Sequence, residues 1–320
     1  MNKNLGAFII PTGVGASIGG FAGDASYWAR EFAKKSQLIV NPNVVNAGCF
    51  SGITDNMLYV EGYSLDEFFK GNLSIIPDRK QNKIGVIFDK AISTGILNVH
   101  INTINAVKTI YGCNITGYDI TEEEAGVDFT VDESGISTGS VKNINTIIDC
   151  GNRLLDKGAE VLAIVCKFKE DDFNDYSTGI GVDPVGGVEA IISHYVSKIL
   201  KVPCAHSPAF EDITICQEIV DSRCSAEYIT PTYLPCILLG LSQAPFLNFN
   251  NSGLTINDLD FLIMPANSLG SIPVFECLKR NIPIYAVDEN KTVLDVTRDK
   301  ISDRIILVDS YQILYEQLYK

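Results

Sequence analysis

Short apolar runs alternate along the chain with longer segments whose apolar positions recur at helical spacing. The short runs predict strands at Ala7–Ile10, Leu38–Val40, Leu58–Val60, Ile84–Phe88, Val161–Cys166, Phe261–Met264, Ile284–Val287 and Ile305–Val308. The longer segments predict helices at Ala25–Lys35, Ile101–Tyr111, Val141–Lys157, Val185–Leu200, Ile272–Arg280 and Tyr311–Tyr319. Strands alternating with helices predict an α/β fold, a largely parallel sheet flanked by helices in Rossmann-like layers. The sequence shows no internal repeat at the spacing of a solenoid or propeller.

The alternation breaks at Asp119–Gly139, which carries Glu122-Glu123-Glu124 and the turn-like Asp132-Glu133-Ser134-Gly135. This stretch reads in two ways. It is either the soft boundary between a lobe 1–120 and a lobe 140–320, or a solvated hairpin inside a single compact domain. A second polar insertion, Lys169–Thr178, follows a strong strand, where α/β proteins place ligand loops.

Polar clusters stand where the predicted strands end. After the first strand, Pro11–Asp24 places five glycines in eleven positions. Gly13, Gly15, Gly19 and Gly20, flanked by Thr12, are candidates to present backbone N–H groups to an anion, and Asp24 is placed to cap the following helix. The glycine spacing leaves three residues before the third glycine where a dinucleotide fingerprint has two, and the second strand ends Val40-Asn41-Pro42 without the acid that holds a ribose. The sequence therefore names no cofactor. Asn43 and Asn46 follow the second strand as neutral donors and acceptors, and Glu61 closes the third. Near the C-terminus Asn267, Asn290 and Lys291 follow two consecutive strands, and Lys291 can offset a bound anion.

Two of the three histidines lie in the segment Gly179–Pro208. Asp183 and Pro184 suit a helix start. Glu189 and His194 are five apart, about 140° around a helix, which disfavours a zinc pair. Cys204 and His206 alternate on an extended segment and can share a face, and two ligands make no metal site. Histidine near carboxylates suits proton transfer near neutral pH, so Glu61, Asp183 and His206 are the candidate catalytic groups.

Composition narrows the partners. With 39 acidic against 25 basic residues, net −14, the chain repels nucleic-acid phosphates and anionic membrane surfaces. The N-terminus shows no leader pattern, and no apolar run approaches the ~20 residues of a membrane span. Nine cysteines then read as reduced thiols in a cytoplasmic protein. The apolar segment Tyr233–Leu241 is a candidate interface for a homo-oligomer.

Pro11–Ala16, Gly19–Ala25, Pro42–Val44, Tyr59–Tyr63, Gly181–Pro184, Ile192–His194 and Pro203–His206, with Leu234–Cys236 and Gly240–Ser242, carry a resemblance over most of the chain. The chain resembles an uncharacterised bacterial family, domain of unknown function thirty-three twenty-six, and that resemblance implies no activity. The residues themselves lead to the expectation of a small-molecule enzyme. It acts by acid/base chemistry on a compact carboxylate- or phosphate-bearing metabolite, as lyase, isomerase or hydrolase. The alternatives are a non-catalytic metabolite-binding or sensing protein and a metal-dependent enzyme.

Overall fold

A computed structural model describes residues 4–77, 81–169, 176–250 and 252–320. Most of the second polar insertion, residues 170–175, lies outside the described residues, as do the first three. The chain opens with strands β1 (Leu5–Phe8), β2 (Gln37–Val40) and β3 (Met57–Tyr59). Its middle supplies β4 (Ile84–Phe88), β5 (Ile115–Ile120), β6 (Val127–Val131), β7 (Ser137–Val141), β8 (Val161–Lys167) and β9 (Cys204–Ala209). Its last part supplies β10 (Leu259–Pro265), β11 (Ile284–Val287) and β12 (Ile306–Val308). The main helices are α1 (Ser26–Ala33), α2 (Gly62–Lys70), α3 (Thr94–Tyr111), α4 (Ile144–Asp156), α5 (Gly186–Leu200), α6 (Leu234–Ser242), α7 (Ile272–Arg280) and α8 (Tyr311–Tyr319).

The fold is α/β, with two parallel sheets flanked by helices. One sheet has the order β12-β11-β10-β1-β2-β3, the other β9-β8-β4-β5, and every neighbouring pair is parallel. The two ends of the chain thus share one sheet and the middle builds the other. Strands β4 and β5, which end by residue 120, pair into one sheet with β8 and β9, which lie beyond residue 140. Between β5 and β8, β6 and β7 pair antiparallel around a turn in which Asp132 accepts from Ser134 and Ile136 N–H.

Alternation along buried strands distributes side chains to both faces of each sheet. Phe8, Ile263, Val86 and Phe88 join a core shared by the two sheets, while Ala7, Leu262 and Ile87 point to the helices outside. Helix α6 lies in the shared core with all nine residues buried. The segment expected as a subunit interface is therefore interior, as a helix apolar on every side must be. No helix among the described residues is long and apolar enough to cross a membrane.

The Pro11–Asp24 loop is stitched to the far end of the sequence. Asn290 accepts from Ile18 N–H at 3.0 Å and donates to Ile18 O and to the Tyr311 hydroxyl, both at 2.7 Å, while Ser17 N–H donates to Lys291 O. Asn290 is fully buried, and Ile18 N–H, Ile18 O and the Tyr311 hydroxyl take it as their partner. Asn290→Ala strands them and is expected to cost about 2–4 kcal/mol of stability in urea denaturation. A loss below about 0.5 kcal/mol, the range of a surface change, would reject this anchoring role.

Candidate functional site

A cavity of about 870 Å³ opens between the two sheets. That is within the roughly 300–1,000 Å³ of small-molecule sites. The carboxyl ends of β1, β2 and β3 deliver Thr12, Asn43, Asn46 and Glu61 to it, as strand ends do in open parallel sheets. The turn before α5 and that helix's first half deliver Asp183, Glu189, Ser193 and His194. Edge strand β9 delivers Cys204 and His206, two residues apart on one face. Glu227 and Tyr228 come from a four-residue helix, Ser225–Tyr228, Tyr233 from the N-cap of α6, and Cys236 and Ile237 from α6 itself.

Of the residues proposed from sequence, Thr12, Gly20, Asn43, Asn46, Glu61, Asp183 and His206 line the cavity. Gly13, Gly15, Gly19, Asp24, Asn267, Asn290 and Lys291 are not in its lining. The loop's glycines answer to packing. Gly13 has φ +74° and its carbonyl accepts from Ser137 N–H, while a side chain at Gly19, φ +84°, would come within 2.2 Å of Ile10. The N–H groups of Ser17, Ile18 and Gly19 all have partners inside the protein, so they are occupied. Asp24 does not cap α1. Its carboxylate turns back to accept from Gly19 N–H, and Ala25 stands at the helix N-cap without a side-chain bond. Asn267 instead fastens the next loop through Thr292 and Leu294, and Lys291 pairs with Asp288 on the surface.

Within the cavity wall, Glu61 is the N-cap of α2, accepting from Tyr63 and Ser64 N–H and from the Ser64 hydroxyl. Asp183 accepts from Val185 N–H at 3.1 Å, an Asx turn that delays the helix to Gly186 and leaves Pro184 outside it. Asn43 holds the carbonyls of Ile10 and Pro11. His206 Nδ1 lies 2.8 Å from the Ser193 hydroxyl, which also reaches the carbonyls of Glu189 and Ala190. With that hydroxyl donating to a carbonyl, it accepts Nδ1–H and leaves Nε2 as the unprotonated nitrogen.

Burial sets the protonation of these groups. It pushes the His206 imidazole down to about 4, so the ring is neutral near pH 7. It pushes Glu227 up to about 8, reinforced by the charge of Asp183, and Glu61 up to about 7. Glu189 is held well above the usual carboxyl range by burial first and then by Asp183 and Glu227. Glu227 takes hydrogen bonds from Tyr176 and from the backbone of Ala22. Ala22 itself lies in the left-handed region at φ +40°.

Three contributors escaped the sequence reading: Glu227, Tyr176 and Ser193. Glu227 sits on a four-residue helix in a stretch without periodicity, and Tyr176 on a single 3₁₀ turn, so neither leaves a pattern to detect. Ser193 did leave one. It stands four residues after Glu189, the spacing that shares a helix face, whereas His194, five after Glu189, does not share it.

A family model described as a protein of unknown function, DUF3326, matches residues 6–315. An uncharacterized lipoprotein of Synechococcus is 35% identical over 297 residues, covering 90% of this chain and 82% of its own. No solved structure matches. The chain accordingly belongs to the DUF3326 family of proteins of unknown function.

Proposed function

We propose that the cavity is the site of a small-molecule enzyme that works by proton transfer, as a lyase, isomerase or hydrolase. The observation that carries this reading is His206, whose Nδ1 is fixed by Ser193 in a cavity that also holds buried carboxyls. A neutral imidazole accepts a proton at Nε2 while a carboxylic acid of raised pKa, Glu227, returns one, and such opposed environments are what separate base from acid. Glu61 and Asp183 support the wall by holding helix N-termini and are not assigned the proton transfer itself. A carboxylate or phosphate on the ligand finds no lysine or arginine among the described residues of the lining. Metal chemistry finds no support either, since no three His, Cys, Asp or Glu side chains among the described residues are grouped to hold an ion.

We assign the protein to a reducing, cytoplasmic compartment. All nine cysteines are unpaired, which supports that assignment. The word lipoprotein in the name of the Synechococcus relative supports a lipid-anchored protein instead. Recovery of the native protein in the membrane pellet after cell fractionation would overturn the cytoplasmic assignment.

The protonation scheme has a signature in stability. Asp24 and Glu61 have folded pKa values of about 7 and Glu227 of about 8, against 3.8, 4.5 and 4.5 otherwise. The folded chain therefore holds the extra protons above those ordinary values, and stability falls with rising pH until about pH 8. Lowered histidines act the other way, His206 most, but only up to their ordinary 6.5. Between about pH 6.5 and 8 the carboxyl effect remains alone, so the melting temperature is expected to fall across that window. Glu227→Gln should shallow the fall, and a flat or rising profile in the wild type would reject a protonated Glu227.

The catalytic assignment is tested by native mass spectrometry for co-purified metabolites, followed by turnover assays on whatever is released. His206→Gln is expected to lower kcat by about 10²-fold or more while the melting temperature stays within a few degrees. Undiminished turnover would remove His206 from the mechanism. A released compound that is bound but never converted would replace the enzyme with a binding protein.

A further inference from the structure

The cavity's hydrogen-bonding and charge are unbalanced in one direction. Glu189 lines the cavity and is only 5% exposed, and its Oε1, shut off from solvent, has no hydrogen-bond partner among the described residues. Asn46, also in the lining, carries a second buried acceptor, Oδ1, with none among the described residues. Asp183 and Glu227 stand close enough to Glu189 to perturb it electrostatically, and the described lining contains no lysine or arginine. The rings of Tyr176 and Tyr233 complete the wall on that side.

We propose that the cavity takes an organic cation, a ligand bearing a primary amine or guanidinium group that donates to Glu189 and lies among Asp183, Glu227 and the tyrosine rings. This rests on the reading of the cavity as a small-molecule site and names its ligand class. An ammonium or guanidinium has donors only, which is what unpartnered acceptors require. A positive charge also offsets carboxylates that are otherwise costly to ionise away from water, and aromatic faces attract it further. An anion meets the reverse conditions, with the loop N–H groups at Ser17, Ile18 and Gly19 already occupied. A bare metal ion is disfavoured because no three potential ligands among the described residues are grouped to hold it.

The test is isothermal titration calorimetry of the full chain at physiological salt. The probes are 1,4-diaminobutane, spermidine and agmatine, set against 1,4-butanediol and succinate. At least one amine is expected to bind with Kd below about 1 mM while diol and succinate do not. Glu189→Gln keeps the shape of the protonated acid and is expected to weaken that amine at least about tenfold. Glu227→Gln serves as the second variant should the first fail to fold, and Lys291→Ala, outside the cavity, should change nothing. Amine binding that both Gln variants leave unaltered would reduce the effect to general attraction by an acidic chain and overturn the proposal. Succinate or butanediol binding in place of the amines, and sensitive to Glu189→Gln, would overturn the cation while leaving the cavity as a ligand site. Silence from every probe would overturn both.

Discussion

The structure depends on burying helix α6 between two sheets. A nine-residue helix with no polar face gains nothing from water, so it is stable only where apolar surface surrounds it. The sheets provide that surface through one continuous core, in which Leu234, Leu238 and Leu241 meet residues such as Val40, Tyr59, Val86 and Val165. The approach is close, for a β-carbon at Gly240 would come within 2.5 Å of the Tyr59 ring. Its end carbonyls, which no water reaches, need donors of their own. Buried Asn82 supplies them, donating to Leu241 O and Ala244 O at 2.8 Å and, through its backbone, to Ser242 O. Once α6 is seated, the separation of the sheets is set, and Cys236 and Ile237 become one wall of the space left between them.

That arrangement explains which elements the sequence disclosed. Strands β4 and β11 and helices α7 and α8 lie where the periodicity predicts, residue for residue, because burial on two faces or one leaves an unambiguous pattern. The periodicity predicts neither edge strand of the smaller sheet, although Cys204 and His206 on β9 read as an extended pair. β5 alternates buried and exposed positions through Gly117 and Asp119, and β9 reads Cys-Ala-His-Ser-Pro-Ala, with a proline that only an edge or strand end tolerates. Helix α6 was legible as apolar and misread as surface, since composition alone cannot distinguish an interior helix from an interface. The pairing of the chain's two ends in one sheet is a matter of topology, which local pattern does not encode.

The candidate site was legible in its positions and not in its electrostatics. Thr12, Asn43, Asn46 and Glu61, named from strand ends, line the cavity, because a parallel sheet delivers its carboxyl ends to one rim. The expectation of an anion came from the glycines, and it holds only where a glycine-rich loop leaves its N–H groups free. Here Asn290, Lys291 and Asp24 take those of Ile18, Ser17 and Gly19, and the missing β-carbons make room for Ile10 and the Ser137 backbone. Glycine spacing reports that a backbone is crowded; it does not report whether ligand or protein does the crowding. The charge of the cavity is decided instead by residues with no shared motif, Glu189 on a helix, Asp183 in a turn and Glu227 on an isolated helical turn, which only the folded chain brings into one electrostatic neighbourhood. Burial raises all three acids, Asp183 raises Glu227 and Glu189 further, Glu227 raises Glu189 again, and an imidazole buried without a carboxylate bond stays neutral. The cavity's chemistry therefore follows from mutual desolvation, a property of the assembled walls that no segment of the chain carries by itself.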